Sequence, residues 1–154
     1  ILRRNRIWFP PAPRRSKPRS AFSSVGKGLG TPGYYFHVEP GNKSFVGVGL
    51  FMAAENLGKI RQEIDYNGAE LEKIFKEKSF KKNFLKFWDE DKLKNPPKGY
   101  TKDHPYVEWL KLKSFIITHE FVDQTVTNKR FIKNLVEVMK AGRPLNDFLK
   151  EAIH

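Results

Sequence analysis

Hydrophobic and polar positions alternate most regularly between Gly33 and Met52, where tyrosine, phenylalanine and valine crowd together. The run is broken once, at Pro40-Gly41-Asn42-Lys43, a pattern that predicts two antiparallel strands joined by a four-residue turn. Pairing across that turn sets Val38 opposite Phe45, Phe36 opposite Gly47 and Tyr34 opposite Gly49. His37 then meets Val46, and Tyr35 meets Val48, on the other face. Tyr34 and Phe36 would lie over glycines, covering bare backbone. Residues 114–121, from Ser114 to Phe121, predict a further strand beside this hairpin.

Elsewhere the apolar period lengthens. Leu57, Ile60 and Ile64 recur at helical spacing and predict a helix over 54–66. Asn67-Gly68 is expected to end it, with Asn67 capping the next helix and Glu70 completing a capping box. Leu71, Ile74 and Phe75 carry that second helix, whose register decays near Ser79. From Phe80 to Trp88 the spacing shifts, predicting a short helix or turn and then an irregular segment. Asn95-Pro96-Pro97-Lys98-Gly99 is a loop. Pro105 suits the first position of a helix over 105–112, with His104 as its cap. Two more helices are expected, at 128–141 and 145–152, separated by Gly142-Arg143-Pro144. Strands, helices, strand and helices in that order predict an α+β fold. Its small antiparallel sheet is built on the 33–52 hairpin, with helices packed on one face.

Charge divides the chain differently. The formal net charge is +12, yet residues 1–30 hold eight basic residues and no acid, the first acid being Glu39. The other 124 residues hold 21 basic against 17 acidic side chains, or +4. Four of the ten prolines also fall in 1–30, with serines and glycines, and that segment is expected to be a disordered or extended basic arm. Residues 31–154 are then a single α+β domain. The chain has no cysteine, which excludes disulfides and thiolate zinc sites and favours a cytoplasmic location. No apolar run approaches the roughly 20 residues of a membrane span, so no membrane partner is expected. A first residue of Ile1 rather than methionine suggests a piece of a longer protein.

Most enzyme signatures are absent, among them the phosphate loop ending in Lys-Ser/Thr, the nucleophile elbow and His-Glu-x-x-His. No catalytic residue or cofactor follows from a motif. His37, His104, His119 and His154 show no local ligand spacing, so no metal site is assigned. Lys98-Gly99-Tyr100-Thr101-Lys102-Asp103-His104-Pro105 concentrates cations and an acid–base pair at an expected helix start, where free N–H groups favour an anion. The candidate site is therefore Lys98, Tyr100, Lys102, Asp103 and His104, with Tyr35 and His37 presented from the sheet, and a small anionic ligand is its expected partner. Two other readings compete. One is nucleic-acid binding through the arm and the lysines at 76, 78, 81, 82 and 86; the other is an interaction module without chemistry.

Several motifs occur together in order: Gly33-Tyr34-Tyr35-Phe36-His37-Val38-Glu39-Pro40-Gly41, Gly47-Val48-Gly49, and Pro97-Lys98-Gly99-Tyr100 through His104-Pro105. Glu108-Trp109-Leu110-Lys111-Leu112-Lys113-Ser114-Phe115 and Pro144-Leu145-Asn146-Asp147-Phe148-Leu149 follow. The chain from Gly33 to its end resembles domain of unknown function 2461, a family of conserved hypothetical proteins found mainly in bacteria and also in fungi. The resemblance implies a bacterial type of protein, a fold and no established reaction. It also implies that this chain is the C-terminal portion of a longer domain with a helical N-terminal part. Before the hairpin the family carries Arg-Asp-x-Arg-Phe, then Asp or Asn with Lys, whereas Arg3-Arg4-Asn5-Arg6-Ile7 keeps only the arginines. One explanation for the departure is a slip of reading frame. One nucleotide back, codons permitted for Arg15 to Phe22 can encode the Pro-Phe-Lys-Thr-x-Phe-Gly-Val that the resemblance implies there.

Overall fold

The structure, a computed structural model, describes residues 19–22, 30–51 and 53–154. Strands β1 (Arg19–Phe22), β2 (Gly33–His37), β3 (Ser44–Leu50) and β4 (Phe115–Phe121) form one sheet in that order, all neighbours antiparallel. The described helices are α1 (Leu57–Lys76), α2 (Lys78–Asn83), α3 (Val107–Leu110), α4 (Asp123–Val126) and α5 (Phe131–Ile153). The fold is α+β, with the hairpin and the strand at 114–121 where the alternation placed them. Arg19–Phe22 pairs with β2 from within the basic arm; residues 1–18 and 23–29 of that arm lie outside the described residues.

The hairpin register differs by one residue from the expected one. His37 faces Phe45, Phe36 faces Val46, Tyr35 faces Gly47 and Tyr34 faces Val48. Gly47 thus lies across from Tyr35 rather than Phe36, and Gly49 from Gly33 rather than Tyr34. The turn causes the slip. β2 stops at His37, so Val38 and Glu39 join Pro40–Lys43 in a longer connection. Glu39 N–H donates to Ser44 Oγ (3.0 Å) and Ser44 Oγ–H donates back to Glu39 C=O (3.1 Å), closing its neck. At its tip, Gly41 and Asn42 take positive φ (89° and 59°). Their N–H groups donate to the Asp123 carboxylate at 2.8 and 2.9 Å, and Asn42 Oδ1 accepts the Asp123 N–H at 2.8 Å. These backbone hydrogen bonds hold the Asp123 carboxyl below its usual pKa. A one-residue slip changes which side chains share a face. Tyr34 and Phe36 therefore join Val46 and Val48, while Tyr35 and His37 join Phe45.

The Val46 face carries the main core. Val46, Val48 and Ile117 of the sheet meet Ile60, Ile64 and Leu71 of α1 and Leu145 and Leu149 of α5, all buried. Each such aliphatic side chain contributes about 1.5–3 kcal/mol on burial. The opposite face carries a smaller cluster, Tyr35, Phe45 and Ile116, with Phe51 and Trp88 packed against it.

One of the two expected helix breaks is present and the other is corrected. α1 is two helical stretches joined across a kink at Asn67, whose φ of −121° and ψ of 22° are not helical. Asn67 Nδ2 donates to Glu63 Oε1 (2.7 Å) and caps nothing. Gly68 is needed because the Tyr106 ring lies against it: a Cβ there would overlap Cδ2 and Cε2 and stand 2.9 Å from Cγ. The break expected in α5 is the one corrected: α5 runs through Gly142-Arg143-Pro144 in one piece. Gly142 sits on Val48, whose methyl carbons would be 2.9 Å from an added Cβ. Burial of Val138, Ala141, Leu145 and Leu149 on both sides holds the helix together across its proline. The helix expected over 105–112 shrinks to the single turn of α3.

Candidate functional site

The 98–106 loop is built around His104. Its Nδ1 accepts the Tyr106 backbone N–H (3.1 Å), which assigns the ring proton to Nε2, 2.8 Å from Asp65 Oδ1 on α1. Both ring nitrogens are thereby engaged, and His104 is a strut between loop and helix. Its partner is Asp65, while Asp103 is exposed. The Tyr100 ring meets His104 edge-on at 5.8 Å. Burial raises the Tyr100 pKa, helped by the Asp65 charge and opposed by Arg61. Arg61 in turn donates from Nε to Leu110 C=O (2.7 Å) and from Nη2 to Leu112 C=O (3.4 Å), and burial lowers its pKa.

The anion-binding donors expected at Pro105 are used within the loop. Pro105 has no N–H, Tyr106 N–H goes to His104 Nδ1, and Val107 N–H goes to His104 C=O (3.1 Å). Lys98 and Lys102 are exposed. Of the expected set, Tyr100 and His104 are brought together, with Lys98, Lys102 and Asp103 around them on the surface.

Tyr35 and His37 are placed elsewhere. α1 and the His104 strut belong to the Val46 side of the sheet, and Tyr35 and His37 to the Phe45 side. His37 Nε2 is 2.9 Å from Glu39 Oε2, its ring lies 5.3 Å from that of Phe45, and its buried Nδ1 has no hydrogen-bond partner among the described residues. Hydrogen bonding from His37 and the charge of Lys43 hold the Glu39 carboxyl below its usual pKa.

A groove that the motifs did not indicate lies along β4. The chain leaves α2 at Asn83 and crosses the β4 edge, where Trp88 N–H donates to Ile116 C=O (2.8 Å). His119 Nδ1 lies 2.9 Å from Asn83 C=O. Between these two ties a groove of about 740 Å³ opens, lined by Lys43, Phe45, Leu85, Lys86, Thr118 and Glu120 among others. Leu85 stands 92% exposed on its rim. Lys43 pairs with Glu39 (3.5 Å) and Lys86 with Asp89 (3.0 Å). The signal available in the sequence was the alternation of Thr118 and Glu120, which puts two polar side chains on one face of the strand.

A second, smaller groove of about 270 Å³ lies between α1 and α3. Its aromatic walls are committed to one another: Tyr106 stacks on Trp109 (5.4 Å, 4°) and Trp109 on Phe75 (5.6 Å, 28°), with Gly68 behind Tyr106. On the lysine-rich stretch, Lys76 pairs with Glu72 (3.2 Å), and Lys78, Lys81 and Lys82 are exposed. Among the described residues no three His, Asp or Glu side chains converge as a metal site would require, and no helix is long and apolar enough to cross a membrane.

Searches of curated proteins and of solved structures found no match. A family model described as "Conserved hypothetical protein (DUF2461)" matches residues 11–148, entering the basic arm and covering the sheet, the β4 groove and the 98–106 loop. The chain belongs to this DUF2461 family of conserved hypothetical proteins.

Proposed function

We propose that the chain is a binding module whose ligand docks in the groove along β4. The observation that carries this reading is the groove itself, a concavity of about 740 Å³ walled by the 83–90 segment and the sheet edge. That volume falls in the range of ordinary ligand sites, and its lining sets Phe45, Leu85, Phe87 and Trp88 among nine polar or charged residues. The 98–106 loop supports a structural role better, because His104 spends both ring nitrogens on Asp65 and Tyr106. Lys98 and Lys102 are what remain there for an anion.

The test is a thermal-shift screen of amino acids, short capped peptides and phosphorylated metabolites. It is run on the parent chain, on Thr118→Trp, which fills the groove, and on a Lys98→Ala/Lys102→Ala pair. Compounds that stabilise the parent should lose their effect in Thr118→Trp and keep it in the lysine pair. Loss in the lysine pair with retention in Thr118→Trp would return the site to the 98–106 loop.

A further inference from the structure

We propose that the groove takes an extended, basic polypeptide segment, read by strand addition to the β4 edge; this rests on the groove being the binding site. The argument begins with the Trp88–Ile116 hydrogen bond. It is made from outside the β3–β4 ladder, so the Ile116 carbonyl points away from β3. Alternation in an antiparallel pair then aims the N–H and C=O of Thr118 and Glu120 at the same outer edge. Among the described residues no hydrogen bond reaches these four groups. Thr118 and Glu120 are also lining residues of the groove. A row of two donors and two acceptors at strand spacing is matched by another extended backbone, the recognition used whenever a peptide adds to a sheet. The 83–90 segment bonds to the backbone of this edge at Ile116, while its other tie, from Asn83, goes to the His119 side chain; the Ile116 bond therefore acts as a stop that sets where an added strand begins.

Charge selects the sequence of that strand. Lys43 and Lys86 are neutralised by Glu39 and Asp89, whereas Glu90 and Glu120 line the groove with no ion pair among the described residues. Glu120 also points to the face on which a cross-strand neighbour would stand, where an opposite charge stabilises and a like charge repels. Lysine or arginine opposite Glu120 therefore fits. The exposed Leu85 on the rim offers contact to an apolar residue of the same segment.

The probe is the capped hexapeptide acetyl-Lys-Val-Lys-Thr-Lys-Val-amide, compared with its counterpart carrying glutamate for lysine and with a version N-methylated at every backbone amide. Binding is followed by backbone-amide NMR of the full chain. The basic peptide should shift Thr118, Glu120 and the 85–90 segment, and should bind at least tenfold more tightly than either comparison peptide. Thr118→Pro removes one outward N–H without touching the β3 ladder and should weaken binding at least tenfold; Glu120→Lys should reverse the charge preference. N-methylation tests the same hydrogen bonds should Thr118→Pro fail to fold. Binding in the groove that is indifferent to N-methylation leaves the groove reading intact and overturns strand addition. A preference for the acidic peptide overturns the basic assignment. Shifts confined to other surfaces, or none with any of the three peptides, overturn both.

Discussion

Replacing Gly68 with alanine sets two effects of known size against each other. In an ordinary helix interior the change stabilises by about 1 kcal/mol, through lost backbone freedom in the unfolded chain. Here the new methyl would meet the Tyr106 ring, with Cγ at 2.9 Å and two further ring carbons nearer still, against an ordinary contact of 3.4–4 Å. The ring cannot retreat cheaply. It stacks on Trp109 at 5.4 Å, Trp109 stacks on Phe75 at 5.6 Å, and its own backbone is tied to His104. Overpacking of this kind costs about 1–3 kcal/mol, and a disturbed aromatic pair about 0.5–1.5 kcal/mol more. The overlap wins, and Gly68→Ala should destabilise by about 1–3 kcal/mol in urea or guanidinium titration. In a Tyr106→Ala background the obstacle is gone, and the same Gly68→Ala change should stabilise by up to about 1 kcal/mol. This reversal of sign is what the double-mutant cycle reads. A neutral or stabilising Gly68→Ala with Tyr106 in place would refute the packing argument.

His104→Ala removes the Asp65 contact and the cap on Tyr106 N–H, and should cost about 1–2 kcal/mol in chemical denaturation, whereas exposed Lys102→Ala should change stability by less than about 0.5 kcal/mol. Equal losses at the two positions would contradict the strut. Glu108 is held by Lys111 (2.7 Å) and Lys92 (2.6 Å), which lower its pKa from 4.5 to about 2. A depressed carboxyl stabilises the fold above its unfolded pKa and loses that contribution as pH falls through the folded one, here between about 4.5 and about 2. Because the side chain is 61% exposed, solvent screening keeps the contribution below about 1 kcal/mol. The stability gap between the parent and Glu108→Gln should therefore close on acidification and narrow in salt; a gap that widens toward pH 2 contradicts the assignment.

The glycines show why part of this fold was legible and part was not. Gly68 and Gly142 were each read as helix stops; α1 does kink beside Gly68 whereas α5 runs on through Gly142, and both glycines are notches that let a helix approach Tyr106 or Val48. Both roles demand a residue without a side chain, and which applies depends on a partner far away in sequence. The alternation of 33–50 and 115–121 was readable because a half-buried strand must repeat every second residue. The exact pairing was not, because the length of the turn depends on Ser44 and on Asp123, the latter more than eighty positions from Gly41. His104 was singled out as the cap of a helix at Pro105, but the helix starts at Val107 behind Tyr106 without a side-chain cap, and Asp65, the partner of the His104 ring, carries no mark of its role. The β4 groove was the least legible of all. It exists where the 83–90 segment fails to follow the strand edge, and no residue type announces a gap.

The tie between Asp123 and the β2–β3 turn has a consequence for how quickly the chain folds and lets go. Its hydrogen bonds join positions 81 and 82 apart, with α1, α2 and α3 between them. Loop-closure entropy must be met before so distant a pair is rewarded, so the hairpin and the local helices form ahead of it. β4 has to zip onto β3 before Asp123 arrives beside Gly41 and Asn42. The tie is therefore a latecomer to the transition state, with little influence on the folding rate. Its effect falls on the reverse step, where it must break before β4 can peel away, and the molecule's lifetime rather than its speed of assembly depends on it.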